Sequence, residues 1–115
     1  MFTRSYDYLL HQSYDFLLTT RLTVPGNNVS GTIPREIGLL HTLKYILIVN
    51  NKELKGTIPT EINRLKELKH IGLYNNNLRG SLDGVFEKQT KLINLEIHGN
   101  KFKSNIPTTI GLLTD

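Results

Sequence analysis

Of the side chains able to do chemistry, His70, Glu96 and His98 come nearest to a constellation. Two imidazoles and a carboxylate are a common ligand set for zinc, which holds its ligands at about 2 Å. The spacing argues against a shared ion. His70 and His98 lie in successive units of an internal repeat, and His98 stands four residues further along its segment than the position beside His70. At about 3.3 Å per residue the two are about 13 Å apart. Glu96 and His98 are two apart on one face of an extended segment and can pair in solvent, but acid–base catalysis would need a third group and a pocket. Ser13, with His11 and Asp15 near it, has the residue types of an activated nucleophile, yet all three fall in a tandem duplication that accounts for their closeness. No phosphate-cradling glycine loop or zinc spacing occurs, and the absence of Cys removes disulfides, thiol redox chemistry and thiolate metal sites together. Neither an enzyme nor a cofactor or metal is expected.

The elements that would position these side chains are set by periodicity. Gly31, Gly56, Gly80 and Ser104 follow one another at intervals of 25, 24 and 24 residues. Self-similarity at such a period signals a stacked solenoid. Aligned, the units share one frame: Leu22, Val24, Asn27, Val29, Gly31, Ile33 and Pro34; then Leu43, Ile46, Ile48, Asn51, Leu54, Gly56, Ile58 and Pro59; then Leu68, Ile71, Leu73, Asn76, Leu78, Gly80 and Leu82; then Leu92, Leu95, Ile97, Asn100, Phe102, Ser104, Ile106 and Pro107. Apolar residues two apart leave the same face of an extended segment. A unit of two dozen residues cannot bury them alone, so each segment must stack beside the next in a parallel sheet. The recurring Asn carries both an amide donor and a carbonyl acceptor, able to satisfy backbone groups that would otherwise cost about 1 to 3 kcal/mol each when buried. Gly allows the tight backbone that follows, and Pro at the Ile-Pro step ends the extended run and sends the chain around the outer side.

The frame, L-x-x-L-x-L-x-x-N-x-L-x-G-x-I-P, resembles the leucine-rich repeat family. The G-x-I-P tail, followed by Ile37-Gly38-Leu39-Leu40 and again by Ile110-Gly111-Leu112-Leu113, is similar to its plant-type class. The resemblance covers about residues 19 to 115. It implies an α/β solenoid: a right-handed coil stack with a parallel β-sheet on the concave face and short helical, 3-10 or irregular segments on the convex side. Members of the plant-type class commonly form ectodomains of receptor-like kinases and receptor-like proteins, or secreted inhibitors, which points to an extracellular or cell-surface parent. Four departures stand out. The second unit has one residue more between Asn51 and Leu54, which predicts a small bulge. Asp83 for Pro and Gln89 for Leu predict a looser outer arc in the third unit, and Ser104 replaces Gly in the fourth.

Residues 1–18 fall outside the repeat. Ser5-Tyr-Asp-Tyr-Leu-Leu-His-Gln12 is repeated as Ser13-Tyr-Asp-Phe-Leu-Leu-Thr-Thr20. This duplication reads equally as a short amphipathic helix capping the first coil or as a poorly ordered leader. Asp7 and Asp15 interrupt its apolar residues, so it does not read as a signal peptide, and no apolar run approaches the roughly 18 residues of a membrane span. The family usually closes its stacks with caps, often disulfide-bonded. This chain has no Cys for a disulfide-bonded cap, and it reads as an excerpt, a truncated product or a degenerate copy.

Function in a solenoid belongs to the positions the frame leaves free. Three columns cross the inner sheet: Arg21, Tyr45, His70 and Asn94; Thr23, Leu47, Gly72 and Glu96; Pro25, Val49, Tyr74 and His98. Aromatic and Arg side chains on a mixed surface are the usual anchors of protein interfaces. The ligand-binding expectation therefore falls on Arg21, Thr23, Tyr45, Leu47, Val49, His70, Tyr74, Asn94, Glu96 and His98, with Gly72 leaving a gap for a partner side chain. Individually, the same aromatics would stabilise cross-strand neighbours by about 0.2 to 1 kcal/mol. The net charge is +4, from 14 basic and 10 acidic residues. Its lysines (Lys52, Lys55, Lys66, Lys69, Lys88, Lys91, Lys101 and Lys103) are spread over different repeat positions, which disfavours a nucleic-acid stripe. Asn28-Val29-Ser30 matches an N-glycosylation acceptor at Asn28. The expected function is a non-catalytic recognition module for a protein or peptide partner, the alternative a structural remnant of a longer repeat protein with no partner of its own.

Overall fold

The structure is a computed structural model and describes residues 19–24, 26 and 29–103. Residues 1–18, with most of the duplicated segment, Pro25, Asn27, the acceptor Asn28 and the last repeat's tail from Ser104 onward lie outside the described residues. Each unit contributes two strands. The first strands are β1 (Arg21–Val24), β3 (Tyr45–Ile48), β5 (His70–Gly72) and β7 (Asn94–Glu96). They pair in parallel in the order β1-β3-β5-β7. The register is that of the repeat: Leu22 faces Ile46, Ile46 faces Ile71, and Ile71 faces Leu95.

The second strands, β2 (Ser30–Thr32), β4 (Glu53–Gly56), β6 (Asn77–Gly80) and β8 (Lys101–Phe102), form a parallel sheet of their own that the frame alone does not announce. Its register departs from the repeat by two residues: Gly31 faces Leu54, Gly56 faces Leu78 and Gly80 faces Phe102. The glycines of these strands have left-handed backbones, φ 84° at Gly56 and 97° at Gly80. Beside them lie the methyls of Thr32 and Thr57, within 2.9 and 2.7 Å of where a Cβ would stand, so a side chain would be both strained and obstructed. The chain then reaches Ile-Pro. Pro34 and Pro59 cap 3-10 helices at Arg35–Leu39 and Thr60–Arg64, which form the outer arc of the first two units.

Between sheets and arcs runs one core. Leu22, Ile46 and Ile71 from the first sheet, Leu54 and Leu78 from the second, and Ile37, Ile62 and Leu65 from the arcs are all at most 2% exposed. At about 1.5 to 3 kcal/mol for each fully buried aliphatic, this stripe is the main favourable term in the stack. The asparagines supply its polar seam. Asn76 donates from Nδ2 to the carbonyls of Ile48 (2.8 Å) and Leu73 (2.9 Å) and accepts the N–H of Asn51 at 2.9 Å. Asn100 likewise donates to Leu73 O (2.7 Å) and Ile97 O (3.0 Å) and accepts Leu78 N–H (3.1 Å). Each thus ties its own coil to the preceding one.

The extra residue in the second unit makes no bulge within the ladder. It is absorbed in a turn, Asn51 to Leu54, closed by Leu54 N–H donating to Asn51 O at 3.1 Å. Because Leu54 N–H is used there, the Asn76 carbonyl takes Asn51 N–H instead of the bond that Asn100 makes to Leu78. In the third unit, where Asp83 replaces Pro, the outer arc has no 3-10 helix and runs through separate turns, as its looser sequence predicts. Gln89 is nevertheless fully buried at the site held by Leu40 and Leu65 in the other arcs. Its Nε2 donates to Ile62 O at 2.6 Å, while its Oε1 has no hydrogen-bond partner among the described residues. Lys91 Nζ joins Glu67 on the third unit at 2.9 Å, and this bond holds the Glu67 carboxyl below its ordinary pKa.

Three outcomes follow from these contacts. Asn76→Ala removes a partner from Ile48 O and Asn51 N–H, Leu73 O keeping Asn100 Nδ2, and should cost about 2 kcal/mol in urea unfolding; a loss under about 0.5 kcal/mol would show that water replaces them. Gln89→Leu restores the frame residue and removes the buried acceptor, and since Ile62 O keeps the Leu65 N–H at 3.0 Å, the variant should gain about 1 kcal/mol. For Glu67, the depressed folded-state pKa means its contribution is fully present above the unfolded-state value and lost as pH falls through the lower, folded one. Glu67→Gln should therefore lower the melting temperature slightly at neutral pH, the pair being exposed, and converge with the parent as pH falls through the folded-state value.

Candidate functional site

Alternation along β1, β3, β5 and β7 sends the core aliphatics inward and the intervening side chains outward, so the free positions become physical columns. Arg21, Tyr45, His70 and Asn94 are direct ladder neighbours, as are Thr23, Leu47, Gly72 and Glu96. The first column is joined by its side chains. The Arg21 guanidinium lies 4.4 Å from the Tyr45 ring centroid, within the range of a cation–π contact, and the Tyr45 and His70 rings are tilted at 5.2 Å. In the third column Tyr74 and His98 stack nearly parallel, 4.9 Å apart with 8° between planes. Val49, in the same column of the repeat, follows β3 directly and is half-buried. The sheet thus presents two ordered aromatic pairs, each spanning two coils. Their rings are already fixed by neighbours, which lowers the entropy a bound partner would have to remove.

Two details differ from the sequence reading. Gly72 does not leave an open gap, because the Leu47 side chain leans across it: a Cβ on Gly72 would come within 2.8 Å of Leu47 Cδ1. Glu96 accepts a hydrogen bond from Asn94 Nδ2 at 3.2 Å, while His98 is engaged with Tyr74, so the two do not form an ion pair. Among the described residues no group of three His, Asp or Glu side chains converges to hold a metal ion.

Beside the third column lies a feature the sequence reading missed. Asn50 and Asn75, each just before its buried ladder asparagine, adopt left-handed backbones (φ 60° and 59°), and Asn75 Nδ2 donates to Asn50 Oδ1 at 3.1 Å. With Lys52, Asn76 and Gly99 they line a shallow groove of about 510 Å³. The doublets Asn50-Asn51 and Asn75-Asn76 are the available signal, since Asn is the non-glycine residue that best tolerates that conformation. The lysines, too, are less scattered than their repeat positions suggest. Lys55 and Lys101 stand on the second sheet with Arg79 between them, Arg79 and Lys101 being direct ladder neighbours.

No protein-family model and no curated protein matches the chain. Solved structures do. The chain is similar to the plant peptide hormone receptor RGFR1, solved in complex with RGF2, at 38% identity and a TM-score of 0.76 over 82% of this chain and 15% of the receptor. It is similar to the Arabidopsis receptor kinase HAESA, solved with the peptide hormone IDA and the co-receptor SERK1, at 33% identity and a TM-score of 0.73 over 81% of this chain and 15% of that one. The TDR receptor matches 95% of this chain with a TM-score of 0.81 at 25% identity, and 18% of that receptor is covered. The chain therefore spans a small part of these proteins' length. Coils that repeat every 24 or 25 residues, asparagine seams between them and the likeness to these ectodomains identify the chain as a leucine-rich repeat protein of the plant type.

Proposed function

We propose that the chain is a non-catalytic recognition module that binds a protein or peptide partner across the outward columns of its first sheet. The observation that carries this reading is the pair of preset aromatic contacts, Arg21–Tyr45–His70 and Tyr74–His98, on a face that the coil architecture leaves without a structural duty. Thr23, Asn94 and Glu96 are exposed around them, with Leu47 and Val49 half-buried between. An extended segment laid across the coils would meet ring faces on either side of the Leu47 side chain and polar groups at its margins. That mixture, aromatic anchors surrounded by adaptable polar groups, is how protein interfaces concentrate their energy. RGFR1, HAESA and similar receptors are solved with peptide hormones, which supports a peptide as the partner class. A receptor-like or secreted parent, outside the cell, accords with the same likeness. The coil itself does not choose a ligand, since a plant ice-binding protein also resembles this chain, at 27% identity.

The test is selection of peptides from a displayed random library on the immobilised chain, followed by measurement of the winners against Tyr45→Ala/Tyr74→Ala. Both rings are partly exposed, so the double variant should unfold as cooperatively as the parent. Selected peptides should bind it at least about tenfold more weakly, as expected for loss of anchor residues. Equal binding by parent and variant would overturn the assignment of this face.

A further inference from the structure

The second sheet carries a surface of a different kind. Along β4, β6 and β8 the inward residues are Leu54, Leu78 and the half-buried Phe102, and alternation turns Lys55, Arg79, Lys101 and Lys103 outward, all exposed. Arg79 faces Lys101 across the ladder, Lys55 faces Asn77 two residues before Arg79, and Lys103 stays in step by donating its N–H to Gly80 O at 3.0 Å. None of these cations is in an ion pair among the described residues, and Glu53 is the only acid on the outward side of those strands. Like charges on neighbouring strands repel, so the arrangement costs stability unless an anion answers it.

Geometry narrows the anion. With strands about 4.8 Å apart and residues about 3.3 Å apart along them, Lys55, Arg79 and Lys103 fall on a diagonal with about 8 Å between successive members, and Lys101 lies beside it. An extended peptide presents every second side chain on one face at about 6.6 to 7 Å, a spacing that long, flexible Lys and Arg side chains can match. Single-stranded nucleic acid has comparable charge spacing, but its binding sites add aromatic rings on which bases stack, and no outward residue of β4, β6 or β8 is aromatic. We propose that this face docks an extended acidic peptide segment with Asp or Glu at alternate positions, as a second surface independent of the aromatic columns on the first sheet.

Fluorescence anisotropy with a labelled peptide of alternating Glu and Ser tests it, using as competitors an isomer with the same glutamates in one block and an oligothymidylate of equal charge. The alternating peptide should bind best, and its affinity should fall about tenfold between roughly 50 and 300 mM salt. Lys55→Gln/Arg79→Gln/Lys101→Gln/Lys103→Gln should abolish binding, whereas Lys66→Gln/Lys88→Gln, which neutralises exposed lysines elsewhere, should change it less than about twofold. Replacing the same four residues by Glu should transfer binding to an alternating Lys and Ser peptide, which a merely misfolded variant would not do. Undiminished binding to the four-Gln variant, or tighter binding of the block isomer or the oligonucleotide, would overturn the proposal. Tyr45→Ala/Tyr74→Ala should leave this binding intact, so the two surfaces fail or survive separately.

Discussion

Everything in this molecule depends on apolar side chains that cannot be buried within the unit that carries them. Ile46 has no inside to point to until Leu22 from the preceding coil and Ile71 from the following one lie beside it in the ladder. Stacking supplies that inside, and it does so only in a parallel register that repeats the spacing of the units. The asparagine seam enforces the register by direction rather than by area. Asn76 bonds both Ile48 of the preceding coil and Leu73 of its own, so a slip of one residue would break its two bonds across coils, to Ile48 O and from Asn51 N–H. Burial drives the stack together, and the amides allow one way of doing it.

Once the inward positions are committed, every alternate side chain is released from structural duty, and two sheets offer two such released faces. The first sheet's register matches the repeat, so equivalent residues stand in straight columns, and large rings in one column can touch, as Tyr74 and His98 do. The second sheet's register is offset by two residues from the repeat. There, residues from different repeat positions become neighbours, and the surface is a basic diagonal instead of a column. One coil geometry thus displays an aromatic surface and a cationic one on different sheets without any change in its core.

Tolerance in the frame is equally physical. The inserted residue after Asn51 costs no ladder because a turn absorbs it and Asn76 exchanges one N–H for another. Gln89 survives in a Leu position because its Nε2 finds Ile62 O, although its Oε1 has no partner among the described residues. Where Pro34 and Pro59 preset the backbone, the outer arc winds into a 3-10 helix; where Asp83 stands instead, it does not.

The strands of the first sheet, their columns and the role of the asparagines were all legible in the amino-acid sequence. A period-2 pattern inside a period of 24 or 25 residues leaves one way to bury Leu22, Ile46, Ile71 and Leu95 together. What the sequence could not disclose depends on offsets between coils and on where side chains lean. The closing of Leu47 over Gly72, the surface pair of Asn50 and Asn75, and the meeting of Arg79 with Lys101 are such cases. Aligning repeats assumes that equivalent residues are neighbours, which holds for the first sheet. Hydrogen bonding in the second sheet sets a different register, and only the folded chain reveals which side chains that register brings together.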